Sequence, residues 1–471
     1  MTLGTKRWEA GLSVPLGTEK AAGRERGTNR VGQPSSDPPP DGSPSSAPHG
    51  QISARDGHLP STADTIRPLW MQVYLPNLVI ATGQGAMIPV LVYAARDVHA
   101  SAALAVVVVA VNGFGTMLFD LPSGRIVARL GEWMSGWVAA LLLCAGLVGC
   151  LFAHSPLALG ASVFLQAAGW SVWSLVRLTH LSRVAPPHAR GRALSIFGGV
   201  TRAGNVIGPF VFVAVAGRSD VRVVFLVYLV CVLVGFAWLV LARDRTDHDS
   251  ATERTERIRP LRVLADNRRG FATAGVGAFG ISLLRGSRNA IVPLWAGHIG
   301  LSSSSAALLF ALSSVVDLAL FYPAGIASDR WGRRFVAIPC ATLLSIGHIL
   351  VPFAHAFSTL FLVAFVLGFG NGLGSGIVMT LGADLTPETG RASFLAVWRL
   401  VSDCGTSVGP LVDSAVVGLG AIALAGPAVG VLGLASAAVV ALWLQEPPHL
   451  AHLGKGRSPL GRRRIVRRDT T

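Results

Sequence analysis

The chain has 471 residues, of which 51% are hydrophobic and only 14% charged, with a mean hydropathy of +0.54. That is too apolar for a soluble domain and lacks the basic stripe on a polar domain that marks a DNA binder, so no nucleic-acid partner is expected from the formal charge of +15. Arg and Lys gather instead in short connectors and at the ends, as basic loops do on the cytoplasmic face of a membrane protein.

Residues 1–66 are rich in Gly, Ser, Pro and both charge signs, with the run Pro38-Pro39-Pro40-Asp41-Gly42-Ser43-Pro44. Nothing there can bury a core, and a disordered cytoplasmic tail is expected. No apolar stretch follows the first basic residues, so the segment does not read as a signal peptide. Twelve apolar segments then approach the ~20 residues a bilayer core requires. They fall at approximately 69–94, 102–124, 134–153, 157–181, 193–216, 221–242, 270–297, 303–325, 335–354, 358–382, 392–418 and 420–444. The mixed-charge stretch 243–269 divides them six and six, giving an N-terminal bundle at 67–242, a cytoplasmic linker at 243–269, a second bundle at 270–445 and a basic tail at 446–471. Alternate connectors carry the cations: Arg125 and Arg129, then Arg183, Arg190 and Arg192, then Arg330, Arg333 and Arg334, then Arg391. By the positive-inside rule both termini face the cytoplasm of the cell membrane.

The five cysteines sit singly in apolar runs and read as small hydrophobes. The twelve histidines show no metal-ligand spacing, and neither a metal nor another cofactor is expected. The run Gly368–Gly376 lacks the Lys-Ser/Thr and the preceding strand of a phosphate loop and reads as a closely packed gating helix. With no catalytic constellation recognisable, the chain is not expected to be an enzyme.

The halves repeat one another. The turn Gly325-Ile-Ala-Ser-Asp329-Arg330-Trp-Gly332-Arg333-Arg334 has an altered copy about 200 residues earlier, Gly124-Arg-Ile-Val-Ala128-Arg129-Leu-Gly131-Glu132-Trp133. Gly204, Gly208 and Pro209 in the fifth span match Gly405, Gly409 and Pro410 in the eleventh, and Gln84 to Pro89 in the first span pairs with Arg288 to Pro293 in the seventh. Two six-helix halves related along the membrane normal form an arrangement used for alternating access.

On these residues the chain, from 69 to 445, resembles the major facilitator superfamily. The Gly325–Arg334 turn is similar to the family's loop of the form Gly-x-x-x-Asp-Arg-x-Gly-Arg-Arg, and the Gly-x-x-x-Gly-Pro run at Gly204–Pro209 resembles the fifth-span motif of drug:proton antiporter-like exporters. The resemblance implies an all-α membrane protein of twelve transmembrane helices in two pseudo-symmetric six-helix bundles, working as a monomer. Two departures stand out. Ala128, Glu132 and Trp133 replace the Asp and the closing Arg pair of the first turn, and Leu165, Gln166 and Gly169 stand where antiporter-like members carry a fourth-span Arg.

Candidate residues follow from the cost of burying charge and polarity in lipid. Gly325 is expected to let spans eight and nine approach, while Asp329, Arg330, Arg333 and Arg334 serve either as a membrane anchor or as a latch between the halves. Arg202 and Asp317 lie at similar depth and are expected to pair across the halves, as is Arg399 with Asp120 or Asp403; such pairs are either gates or purely structural. The Gly-x-x-x-Gly-Pro runs should pack closely and hinge. The cavity, between spans one, four, seven and ten in this family, is expected to be lined by Asn77, Gln84, Gln166, Trp170, Trp173, Arg177, Arg285, Arg288, Asn289, Asn371 and Met379. Arg285 and Arg288 share a face and point to an anionic or carbonyl-bearing ligand unless Asp384 or Asp413 pairs with them. Trp170 and Trp173 could stack on a flat ligand or a cation, or pack at the lipid boundary.

The expected function is secondary active transport by alternating access, with proton-coupled efflux of small amphipathic molecules as the leading reading. The alternatives are an importer or exchanger of a small organic anion, and a transport-inactive membrane scaffold or sensor, the latter motivated by the altered first turn.

Overall fold

A computed structural model describes residues 69–185, 190–216, 220–241, 260–374, 376–387 and 391–444. The expected tails at 1–66 and 446–471 and most of the linker lie outside these residues. Among these residues twelve helices carry the fold: α1 (Trp70–Asp97), α2 (102–130), α3 (132–151), α4 (Pro156–Val184), α5 (Arg190–Ala216), α6 (Val223–Leu241), α7 (Val276–His298), α8 (Ser303–Trp331), α9 (Arg333–Leu350), α10 (Phe357–Asp384), α11 (Arg391–Gly418) and α12 (Ile422–Trp443). Two short helical pieces, Pro260–Asp266 and Arg268–Gly270, lead into α7.

Helix is the form the composition demands, because every backbone N–H and C=O inside hydrocarbon needs a partner within its own segment. Long apolar runs supply the length, and serines start three helices on the face away from the basic turns. Ser101, Ser155 and Ser302 accept from the backbone N–H of Leu104, Ala158 and Ser305 at 3.2–3.3 Å, each cap contributing about 1 kcal/mol.

The internal repeat keeps a constant register of 201 residues. Gly131 (φ 73°) and Gly332 (φ 98°) make the breaks between α2 and α3 and between α8 and α9; Ser101 and Ser302 are the equivalent caps; and π-helical turns open α1 at Trp70 and precede α7 at Phe271. In this register Gln84 corresponds to Arg285 and Pro89 to Ala290. The expected match of Gln84–Pro89 with Arg288–Pro293 is therefore one helical turn out. Packing sets the true phase: a Cβ on Gly85 would run into Asn205 of α5, and one on Gly286 into Thr406 of α11, at equivalent places in the two halves.

The Gly-x-x-x-Gly motifs face inward in their own half. Side chains at Gly204 or Gly208 would overlap the backbone of α1 around Leu78 and Thr82, and those at Gly405 or Gly409 the backbone of α7 around Phe279 and Leu283. The halves themselves meet through α2 against α11, α5 against α8, and the end of α1 against α7. At the face away from the basic turns, Tyr93 Oη donates to Leu301 O at 3.1 Å and Ser414 Oγ to Ala103 O at 2.9 Å, stitching one half to the other.

Candidate functional site

In the first half the polar residues close on one another. Gln84 Oε1 accepts from Tyr228 Oη at 2.7 Å and from Gln166 Nε2 at 2.8 Å, all three buried. Asn77 Oδ1 accepts from Trp173 Nε1 at 3.3 Å while its Nδ2 donates to Thr201 Oγ1 at 2.8 Å. Trp173 is fully buried, and the guanidinium of buried Arg177 lies 5.0 Å from its ring centroid. Trp173 thus stacks on the protein's own cation rather than at the lipid boundary. Trp170 is half-buried. In this arrangement Asn77, Gln84, Gln166 and Trp173 stiffen the α1–α4–α5–α6 core by bonding to one another and to Tyr228 and Thr201, as buried polar groups require, while Gln166 Oε1 stays without a partner.

The second half is cationic at the same depth. Arg288 is buried, donates to Ser313 Oγ at 2.6 Å and lies 4.9 Å from the Phe310 ring centroid. Half-buried Arg285 reaches Asn371 O at 3.5 Å, and its Nε, shielded from solvent, has no hydrogen-bond partner. Neither arginine pairs with Asp384, which is bonded to Arg333 instead. Asn289 is half-buried, and Met379 is 80% exposed and takes no part in this polar set.

Among the described residues, two ion pairs cross between the halves. Arg202 Nη1 of α5 lies 3.4 Å from Asp317 Oδ1 of α8, with its guanidinium 4.9 Å from the Phe321 ring centroid; Asn371 of α10 donates to the other oxygen of Asp317. Arg399 of α11 lies 3.1 Å from Asp120 Oδ2 of α2 and 3.4 Å from Asp403 Oδ2 on its own helix. Asp120 also accepts from Ser171 Oγ of α4 at 2.7 Å, so α4 is tied into the same junction.

At the basic turns, Arg333 donates to Asp384 Oδ2 at 2.8 Å, Asp329 Oδ1 at 2.6 Å and Ser328 Oγ at 2.9 Å, and Arg334 donates to Ala441 O. These bonds fasten α8, α9, α10 and α12 within the second half; they are not contacts between halves. Arg330 is exposed. Gly325 is exposed as well, and a Cβ there would meet nothing within 4 Å, so close approach does not explain it. The glycine the turn needs is Gly332, whose positive φ disfavours other side chains.

The first turn carries a pair that sequence reading missed. Glu132, at the position of Arg333, is buried and accepts from Arg183 Nη2 at 2.9 Å, with His180 Nδ1 at 2.9 Å from the same oxygen. Arg183 stands at the position of Asp384, so each half has a pair separated by 51 residues and joining equivalent helices, with its charges exchanged. The altered first turn is thus a partnered junction of opposite polarity. The signal was available: an acid where the copy has an arginine, and an arginine where the copy has an acid.

A twelve-helix membrane body in two repeats, joined by charged pairs and holding polar groups at mid-depth, is the architecture of a secondary transporter. The Major Facilitator Superfamily model matches residues 73–284 and, again, 274–470. The chain belongs to the Major Facilitator Superfamily and is a multi-pass membrane transporter. Among similar curated proteins are those named multidrug resistance protein MdtH of Salmonella arizonae, 25% identical over 292 residues (61% of this chain, 70% of the relative), and of Cronobacter sakazakii, 27% identical over 297 residues (61% and 70%). Solved structures with the same fold include a POT family transporter in complex with 5-aminolevulinic acid, with a TM-score of 0.68 at 12% identity, covering 82% of this chain and 96% of that one. A D-xylose-proton symporter gives 0.64 at 16%, covering 82% and 99%.

Proposed function

We propose that the protein exports small amphipathic molecules by alternating access in exchange for protons, with its basic turns on the cytoplasmic side of the cell membrane. The observation that carries this reading is the pair of inter-half bonds, Arg202–Asp317 and Arg399–Asp120, which link helices that must separate when the halves rock. The names of the similar curated proteins support the export direction, and the basic turns support the orientation. The ligand would sit between α1, α4, α7 and α10, against Trp170, Arg285, Asn289 and Asn371. Cells making the protein should accumulate less ethidium than cells lacking it, and a protonophore should erase the difference. Equal accumulation in both would sink the export reading.

One observation favours a second reading. Arg285 and Arg288, together with Arg202, outnumber Asp317 at this depth, a surplus suited to an organic anion. Higher accumulation of a small carboxylic acid in cells making the protein would favour that reading over export. In either case Arg288→Gln should impair transport at unchanged expression, and unchanged transport would count against the arginine site.

A further inference from the structure

Asp413 lies on α11 and is 0% exposed, and neither carboxylate oxygen has a hydrogen bond of normal geometry. The sequence offers it as a counter-ion for Arg285 or Arg288, a role the structure does not give it: Arg288 is engaged with Ser313 and Phe310, and Arg285 reaches Asn371 O. Its neighbour across the α7–α11 seam is Ser287, whose buried hydroxyl faces it as a donor at the margin of hydrogen-bonding geometry.

Among the described residues no ion pair engages it. Of the elements packed on α11, residues 102–119 of α2 and all of α12 contain no ionisable group, α7 contributes Arg285, Arg288 and the outer-end His298, and the contacts at the basic end contribute Arg262, Asp266 and Asp384. On α11 itself Arg399 and Asp403 belong to the ion pair with Asp120, more than two turns away. A carboxylate without an ion-pair partner in such a place is costly to hold charged.

The repeat shows that packing does not require an acid here. The equivalent position in the first half is Phe212, fully buried, and the equivalent of Ser287 is Ala86. The same seam between equivalent helices is therefore filled once by apolar side chains and once by a carboxyl group with a hydroxyl. Ser402, Thr406, Gly409 and Asp413 share one face of α11, and Ser282 and Ser287 lie on α7 against it, so hydroxyls lead along the seam away from the acid.

We infer that Asp413 is the proton-carrying residue of the transport cycle, taking one proton from water when the outer end opens and returning it as the carboxylate forms when the basic end opens. The step is a proton transfer between water and a single carboxyl group, with no other bond made or broken. The inference rests on the proton-exchange reading above.

The test uses the full chain in liposomes. Infrared difference spectra between acid and alkaline buffer should show a protonated-carboxyl band that is missing from Asp413→Asn; superimposable spectra would overturn the inference. With ethidium as the transported probe, Asp413→Asn should lose movement driven by a pH gradient by about tenfold or more, the scale of coupling between linked sites, while keeping ethidium counterflow. A residue that merely fills space would leave both modes intact in this near-isosteric variant, and gradient-driven movement equal to wild type would refute the proposal. Asp413→Glu should restore gradient-driven movement with a displaced pH profile; a well-folded Glu variant behaving like the Asn variant would also overturn it. A wild type that exchanges ethidium but ignores the gradient would instead remove the proton-exchange reading itself.

Discussion

At the scale of single residues, the informative comparison is between the two halves. Glu132 with Arg183, and Arg333 with Asp384, place opposite charges at equivalent sites, and each pair sits at the end of a buried helix junction. Removing one partner of a buried pair leaves an uncompensated charge. Asp384 keeps 16% of its side chain exposed, but Arg333→Glu also sets a like charge beside it and Asp329, so the cost should reach the ~3–5 kcal/mol of a broken buried pair. The double variant Arg333→Glu with Asp384→Arg adopts the polarity the first half already uses, and it should recover most of the thermal stability lost by either single change in detergent. No recovery would mean that Asp329 and Ser328, and not the pair, decide the polarity. For the bonds between halves, Asp317→Asn should reduce transport while leaving the protein folded, because Asn keeps the shape and loses the charge that holds Arg202. A transport rate equal to wild type would show that this pair does not gate.

At the scale of the helix, the glycines separate into those that packing needs and those it does not. Gly208→Leu should abolish folded protein, since the added side chain would have to occupy the backbone of α1 at Thr82 and Ala86. Gly325→Ala should cost nothing measurable, while Gly332→Ala should cost about 1 kcal/mol for its left-handed backbone. The yield of folded protein checks Gly208→Leu and thermal unfolding checks the other two, and a destabilised Gly325→Ala would contradict the order. This is also where reading from sequence reached its limit. Span number, the repeat and the two ion pairs between halves were legible, because hydrophobic length, repeated glycines and helical depth are properties of the chain alone. Which glycine the turn required, and the phase of α1 against α7, were not, because Gln84 and Arg285 correspond through contacts with α5 and α11. Likewise, Gln84, Gln166 and Trp173 could be recognised as buried polar groups, but their partners Tyr228 and Asn77 come from helices far apart in sequence.

At the scale of the whole molecule, the face away from the basic turns is held shut by the bonds of Tyr93 to Leu301 and Ser414 to Ala103. Alternating access requires these to part. With the native cysteines replaced, Tyr93→Cys and Leu301→Cys joined by a short thiol-reactive linker should stop transport, and reductive cleavage of that linker should restore it. Undiminished transport in the linked protein would show that this end need not open.

The two charged bonds between the halves are not at the same level. Asp317 lies eight residues before Gly325, whereas Asp120 lies four before Gly124, and Arg202 is correspondingly one turn further along α5 than Arg399 is along α11. One turn is about 5.4 Å of depth. In a body that tilts about its middle, points farther from the pivot travel farther for the same rotation. If the halves rock as proposed, Arg399 and Asp120 let go early with Arg202 and Asp317 still holding, a two-stage bolt whose stage nearer the middle releases last and catches first on the return.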